Sequence, residues 1–142
     1  MDHRLDITIY YEDTDSGGVV YYANYLRYME RGRTEYLESI GVSLKDLMSK
    51  DTLFTVNYAE VHYRSYAQYG DSITIESRIS EVTAATFVVA HRLVRKKTGK
   101  QIANGMTRLV CVSRSGLGKP KRLPDEVRKR LEEACAATPG CG

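Results

Sequence analysis

The sequence predicts an α+β domain in which one long helix packs on an antiparallel β-sheet. Three observations lead to this prediction. Apolar residues recur every three or four positions over residues 20–40, which is the period of an amphipathic helix. Four later stretches are rich in β-branched and aromatic residues and are separated by short turns. One long helix followed by a run of strands is typical of a two-layer α+β domain.

The first predicted element is a strand over residues 5–11. Leu5, Ile7 and Ile9 alternate with more polar residues, so one face of this strand is expected to be buried. Residues 12–18, with the sequence EDTDSGG, form a predicted turn because Asp, Ser and Gly favour turn conformations. The two adjacent glycines in this turn would allow another group to approach the backbone closely.

A long helix is predicted from about Val20 to Ile40. Gly32 lies on the apolar face of this helix, although glycine in a helix interior costs about 1 kcal/mol relative to alanine. Its position therefore indicates that the helix lies very close to the sheet. Gly41 is a natural C-cap for this helix, and Ser43 is suited to cap a second, short helix.

Four long strands and a terminal helix are predicted to follow. Pro124 opens the terminal helix over residues 125–134, and residues 136–142 are expected to form a frayed tail. No linker or repeat divides the sequence, so residues 1–142 are predicted to form a single domain. Long strands leave long sheet edges that a second copy can cover, so we expect a homodimer or a larger homo-oligomer. The predicted strands are residues 52–66, 72–82, 86–97 and 101–114.

The composition excludes several classes of protein. Hydrophobic residues make up 42% and charged residues 27%, which is ordinary for a globular protein, and the net charge of +3 is too small to predict nucleic-acid binding. Three cysteines without C-x-x-C spacing argue against a disulfide framework or a zinc site and favour free thiols. There is no signal-peptide pattern and no apolar run of about 20 residues. We therefore expect a cytoplasmic protein that does not span a membrane.

The junction between the acidic turn and the long helix is the candidate active site. A helix N-terminus carries unpaired N–H groups and a partial positive charge, which polarise a carbonyl oxygen and stabilise an oxyanion formed on it. Asp15 lies just before that end. A carboxylate there can activate water as a general base or attack as a nucleophile. Either role serves acyl transfer to water, and a thioester suits the site because a thiolate leaves easily.

Two other interpretations of this turn remain open. Asp13 or Asp15 could simply cap the helix, which is the usual role of an Asp before a helix. Asp13, Asp15 and Gly18 also have the spacing of the first, third and sixth positions of an EF-hand loop. However, Gly17 and Asn24 stand where that loop needs further ligands, so no metal site is predicted.

The run Y-x-D-T-D-x-x-G-V-V-Y-Y-x-N-Y-x-x-Y-x-E-x-x-R, which begins at Tyr11, resembles the signature of the hotdog-fold acyl-CoA thioesterases. It is most similar to the Tol-Pal-associated YbgC type and also resembles 4-hydroxybenzoyl-CoA thioesterase. The resemblance implies a hotdog fold, in which the sheet wraps the long helix. It also implies hydrolysis of a small acyl-CoA to a free acid and CoA by a homodimer or homotetramer. Further matching segments are Ala67 with Gly70-Asp71, Ala103-x-Gly105 and Leu123-Pro124.

The resemblance also implies roles for individual residues. Asp15 matches the catalytic carboxylate, and the backbone N–H of Tyr22 matches the group that polarises the thioester carbonyl. Relatives often carry His at the position of Tyr22, but a backbone N–H survives that change. Relatives often carry Pro at the position of Tyr66, a difference that would alter the pocket rim. The implied passage for the thioester is lined by Gly18, Val19 and Val20, and we add Tyr21 and Tyr25 as substrate-binding candidates.

Basic residues are the candidates for binding the phosphates of CoA, since guanidinium and ammonium groups bind phosphate. A hairpin tip containing Arg95, Lys96 and Lys97 is one candidate, and a solvated turn is the alternative interpretation of these charges. Arg64 is a second candidate, and the segment 119–122 is a third. No metal or redox cofactor is expected, because CoA enters as part of the substrate.

Other functions on the same fold stay open. One is a non-catalytic acyl-carrier or envelope-complex binding protein, and another is an aryl-CoA thioesterase of the 4-hydroxybenzoyl-CoA kind. The thioester could also be carried by an acyl carrier protein instead of CoA. A dehydratase is disfavoured, because the loop and helix start around Asp15 contain no His.

Overall fold

The computed structural model describes residues 3–116 and 118–136. The order of elements is the predicted one, with an additional short 3₁₀ helix at Tyr11–Asp13. Residue 136 is the last residue of the terminal helix, and the remainder of the predicted tail lies outside the described residues. The strands are β1 (His3–Thr8), β2 (Thr52–Tyr63), β3 (Ser72–Val82), β4 (Thr86–Arg95) and β5 (Gln101–Ser113), and the helices are α1 (Asn24–Ser39), α2 (Leu44–Ser49) and α3 (Asp125–Ala136).

The five strands form one antiparallel sheet in the order β1-β3-β4-β5-β2. The second strand in sequence therefore becomes an edge strand, next to the last one. α1 lies across one face of this sheet, so the α+β architecture of a long helix on an antiparallel sheet is confirmed. Among the described residues, none of the helices combines the length and the apolar character that crossing a membrane requires.

Gly32 marks the closest approach of α1 to the sheet. A Cβ atom added at Gly32 would lie 2.7 Å from Ile75 Cγ2 and 2.8 Å from Ser77 Oγ, both on β3. A Cβ atom at this position would force these two side chains to shift, so the expected close contact between helix and sheet is confirmed. Glycine at this position lowers the intrinsic stability of the helix. The close approach that it allows buries the neighbouring side chains Met29 and Tyr36, which offsets this cost.

The end of α1 follows from its sequence. Gly41 has a φ of +85°, and Val42 N donates to Leu37 O at 2.8 Å while Gly41 N donates to Glu38 O at 3.1 Å. This pair of bonds is a Schellman motif, which needs a residue that tolerates positive φ. Ser43 Oγ accepts a hydrogen bond from Asp46 N at 3.2 Å at the start of α2. Both predicted caps are therefore confirmed.

Two apolar clusters hold α1 in place. One lies beneath its first half and includes Ile9, Val20 and Ala67, which anchor the segments around the acidic turn. The other lies beneath its second half and joins α2 and α3 to the sheet. Cys111 in this second cluster is a buried free thiol, whereas Cys135 is disulfide-bonded. The expectation of free thiols is therefore wrong for Cys135, because a single disulfide needs no C-x-x-C spacing.

A small polar group interrupts the apolar layer under α1. His91 Nδ1 and Ser77 Oγ lie 2.9 Å apart, and Arg33 donates to Thr107 Oγ1 at 3.3 Å. Burial, with a smaller contribution from the charge of Arg33, lowers the pKa of His91 to about 3. His91 is thus a neutral core residue bonded to a neighbouring strand.

Asp51 ties the start of β2 to the end of β5 and provides a pH-dependent contribution to stability. Its carboxylate accepts hydrogen bonds from Ser113 Oγ, Ser115 N and Ser115 Oγ at 2.6–2.9 Å. The bond from the Ser113 side chain and the bonds from Ser115 lower its pKa to about 2, from an ordinary 3.8. Because the folded pKa is depressed, this stabilisation is present above about pH 4 and is lost as the pH falls towards 2.

We therefore expect Asp51→Asn to be less sensitive to acid than the wild type. Asn tolerates the positive φ of 58° at this position, so the backbone should be retained. The free energy of unfolding in urea, measured between pH 5 and pH 2, should fall more steeply in the wild type than in the variant. Equal slopes in the two proteins would contradict the role assigned to this carboxylate.

Candidate active site

The acidic turn forms a small antiparallel hairpin over residues 13–21. Asp15 N donates to Val19 O at 2.8 Å, and Tyr21 N donates to Asp13 O at 3.0 Å. The turn closes with Gly18 N donating to Asp15 O at 3.0 Å, and Gly18 has a φ of +81°. A glycine with positive φ after a tight turn is the usual way to close a hairpin of this length. The expected turn is therefore confirmed, and it carries Asp15 at its first corner.

The side chain of Asp15 binds within this turn. Its Oδ1 accepts a hydrogen bond from Gly17 N at 2.8 Å, and the residue is exposed. Asp13 Oδ2 accepts from Tyr10 N at 2.8 Å, and the N-cap of α1 is Ala23, without a side-chain cap. The interpretation of Asp13 or Asp15 as the helix cap is therefore wrong. Asp15 has a turn-closing role instead, and one carboxylate oxygen makes no hydrogen bond to another described residue.

The helix begins later than the sequence predicts, at Asn24 and not at about Val20. The reason is a pair of long-range bonds: Val20 N donates to Ala67 O at 2.9 Å, and Tyr21 is paired in the hairpin. Tyr22 consequently lies in a single tight turn that leads into α1. In this turn, Asn24 N donates to Tyr21 O at 2.9 Å. The prediction that Tyr22 lies within the helix is therefore wrong: Tyr22 lies in the turn immediately before α1.

The N–H group of Tyr22 stands at the positive end of α1. In the part of the chain that the structure describes, it donates to no acceptor, whereas the neighbouring Tyr21 N and Asn24 N are both paired. An unpaired N–H at a helix N-terminus is a donor that a ligand oxygen can use. Tyr22 N–H is therefore available to a ligand, and it lies at the end of the hairpin that carries Asp15. Its role in polarising a carbonyl stays a prediction.

Two residues that support Tyr22 were missed from the sequence. Asn24 Nδ2 donates to Asp13 O at 2.9 Å and so fixes the helix start to the hairpin. Tyr63, at the end of β2, donates from its hydroxyl to Tyr22 O at 3.2 Å, and the two rings are 6.3 Å apart. Asn24 belongs to the recognised motif, but Tyr63 has no sequence signal because it comes from a distant strand.

The other predicted substrate-binding residues of this region differ in exposure. Gly18 and Tyr21 are exposed, Val19 is half-buried and pairs with Gln68, and Val20 is buried. Tyr25 is also buried, and its hydroxyl accepts a hydrogen bond from Ala67 N at 3.1 Å. Burial raises the pKa of Tyr25, so its phenol stays neutral. Tyr25 supports the turn from below, while Gly18, Val19 and Tyr21 reach the surface.

The predicted phosphate-binding residues do not form one cluster. Arg95 Nε lies 3.2 Å from Asp71 Oδ2, and Lys96 Nζ lies 2.7 Å from Asp6 Oδ2. Two charges of the predicted basic tip are therefore paired with carboxylates, while Lys97 is exposed. Arg64 lines a separate cavity on the sheet.

Known proteins resemble this chain over most of its length. Residues 10–131 match the thioesterase-like superfamily. The acyl-CoA thioesterase YbgC of Haemophilus influenzae is 37% identical over 123 residues, which cover 86% of this chain and 88% of that protein. The 1,4-dihydroxy-2-naphthoyl-CoA hydrolase of Nostoc punctiforme is 29% identical over 133 residues, which cover 93% of this chain and 88% of that protein. The crystal structure of a 1,4-dihydroxy-2-naphthoyl-CoA thioesterase from Synechocystis has the same fold, with a TM-score of 0.84, 22% identity and 96% of each chain covered.

Proposed function

The chain belongs to the thioesterase-like superfamily and has the hotdog fold, and from that premise we propose that it hydrolyses acyl-CoA thioesters to a free acid and CoA. The observation that supports this most directly is the junction between hairpin and helix. There, the unpaired N–H of Tyr22 stands at the start of α1, and the carboxylate of Asp15 is carried by the hairpin that precedes it.

In the proposed reaction, the thioester oxygen accepts a hydrogen bond from Tyr22 N–H. The partial positive charge of the N-terminus of α1 stabilises the oxyanion that forms. Asp15 either takes a proton from water as that water attacks the carbonyl carbon, or attacks the carbon itself to give an anhydride that water then cleaves. In both routes the C–S bond breaks and the thiolate of CoA leaves. Neither route needs a metal or a redox cofactor.

Thiol release from a panel of short-chain, long-chain and aromatic acyl-CoAs tests this proposal. The thiols of the protein itself require a control without substrate. We expect turnover of at least one member, and the preferred acyl group then defines the pocket. A folded protein that is inert on the whole panel would contradict the proposal. Activity on thioesters of acyl carrier protein would then indicate another carrier, and complete inactivity would favour a non-catalytic acyl-carrier or envelope-complex binding protein.

An aryl-CoA substrate is the second candidate, and exposed aromatic rings next to Tyr22 favour it. Tyr21, Tyr22 and Tyr63 are 46%, 62% and 48% exposed, which is high for large side chains. The rings of Tyr21 and Tyr22 are 4.9 Å apart. Such rings can stack on an aromatic acyl group. In the panel, this candidate predicts a higher kcat/KM for aromatic acyl-CoAs than for linear ones of similar size.

We also propose that the protein is a homodimer or homotetramer in the cytoplasm. β2 is an edge strand, and it carries the exposed side chains Val56 and Tyr58. An exposed edge strand with apolar side chains is favourable for pairing with a second copy.

A further inference from the structure

A groove rich in arginine lies on the face of the sheet away from α1. Its volume is about 560 Å³, and it crosses β3, β4 and β5. Glu76, Arg92 and Asn104 are direct neighbours across these three strands. They alternate along their strands with Ser77, His91 and other residues that face the helix, and so they project to the opposite side. The groove is lined by Arg64, Glu76, Arg78, Arg92, Gln101 and Asn104, among other residues.

Basic side chains outnumber acidic ones in the lining of this groove. Three arginines line it and Glu76 is its only acidic lining residue among those described. Glu76 already lies 3.4 Å from Arg92 and 3.1 Å from Arg4, which approaches it from β1. Guanidinium groups on adjacent strands repel one another unless an anion lies between them. In the part of the chain that the structure describes, Arg92 has Glu76 as this anion, whereas Arg64 is in no ion pair, so Arg64 is the arginine that an added anion would neutralise.

Arg64 is oriented for such an anion. Its Nε donates to Asn104 Oδ1 at 3.0 Å, and the same oxygen accepts from Gln101 Nε2 at 3.0 Å. A guanidinium fixed through Nε keeps both terminal nitrogens for a second partner, and this fork geometry matches the oxygens of phosphate. By contrast, Arg95 and Lys96 are paired with carboxylates, so they are weaker candidates for the same ligand.

The groove also begins beside the candidate active site. Arg64 directly follows Tyr63, whose hydroxyl is bonded to Tyr22 O on the helix side of the sheet. The flexible part of CoA between its thioester and its nucleotide end would pass over this end of β2, from the Tyr22 N–H to the groove. We propose that the arginine groove binds the phosphates of the adenosine 3′,5′-bisphosphate end of CoA, while the acyl end lies at Tyr22. This inference rests on the proposed function. The volume of the groove is suitable for a nucleotide.

Calorimetric titration with adenosine 3′,5′-bisphosphate tests the groove without catalysis. We expect the wild type to bind this nucleotide, and Arg64→Gln and Arg78→Gln each to raise Kd by about tenfold. The matched control is Arg108→Gln, which removes the same charge from the same sheet face. Arg108 donates from Nε to Asn57 and does not line the groove. The inference is overturned if the wild type does not bind, or if the control weakens binding as much as the groove variants do.

Kinetics separate this inference from the proposed function. With an acyl-CoA, the groove variants should raise KM and leave kcat unchanged. With the N-acetylcysteamine thioester of the same acid, which has no phosphate, they should change neither constant. An active enzyme whose KM for acyl-CoA is unaffected by both variants would overturn the groove and leave the hydrolase standing. An inactive protein that binds the nucleotide through Arg64 would leave the groove standing and overturn the hydrolase.

Discussion

Asp15→Asn is expected to lower kcat on the preferred acyl-CoA by about 100-fold or more without changing the fold. The amide oxygen of Asn can still accept the hydrogen bond from Gly17 N, so the turn should remain closed. An amide cannot take a proton from water at neutral pH, and it is a poor nucleophile. The substitution therefore removes both chemical roles of the carboxylate and keeps its structural one. Steady-state kinetics report the loss of the chemical roles, and urea unfolding of the same preparation reports whether the structural role is kept.

Glu12→Gln is the matched control for this experiment. It removes one negative charge from the same exposed segment, three residues away, and should leave both kcat and the unfolding midpoint near those of the wild type. If Asp15→Asn retains the kcat of the wild type, Asp15 is a turn residue only and the proposed mechanism fails. If Glu12→Gln loses as much activity as Asp15→Asn, the effect comes from the charge of the loop and not from a positioned carboxylate.

Local patterns predicted the elements of the fold well, because they depend on side chains close in sequence. The strand Ser72–Val82 has the predicted bounds, since its alternation of apolar residues ends at clear turn signals. Gly32 predicted the contact between helix and sheet, because nothing else explains a glycine on an apolar helix face. The roles predicted for Asp15 and Tyr22 also come from one short continuous run, the family motif.

Contacts between distant segments could not be predicted in the same way. The start of α1 shifts to Asn24 because Ala67 O holds Val20 in the hairpin, and Ala67 is more than forty residues away. Tyr63 reaches Tyr22 only because β2 ends beside the helix start. The arginine groove depends on the register of three strands, which pairs Glu76 with Arg92. Sequence periodicity shows which face a residue occupies, but it does not show which residues face one another.

Gly105→Ala is expected to destabilise the protein by about 3 kcal/mol, at the upper end of the range for overpacking. A Cβ atom added at Gly105 would overlap the carbonyl oxygen of Glu60 on the neighbouring strand β2 and would also contact Met29 Cε. The obstructing atom belongs to the backbone of a paired strand, so no rotamer change can relieve the overlap. β2 must therefore move away from β5, and the hydrogen bonds between them must distort.

Gly32→Ala provides the matched comparison, because its added Cβ would meet the side chains of Ile75 and Ser77 instead of the backbone. Side chains can shift, and alanine gains about 1 kcal/mol of helix propensity over glycine, so the loss of unfolding free energy should be clearly smaller than for Gly105→Ala.

β2 also carries Tyr63, whose hydroxyl donates to Tyr22 O, so the displacement of this strand in Gly105→Ala should lower kcat as well. If the free energy of unfolding of Gly105→Ala in urea lies within about 0.5 kcal/mol of the wild-type value, β2 is free to move at this point. In that case the position of Tyr63 would not depend on the tight pairing of β2 with β5.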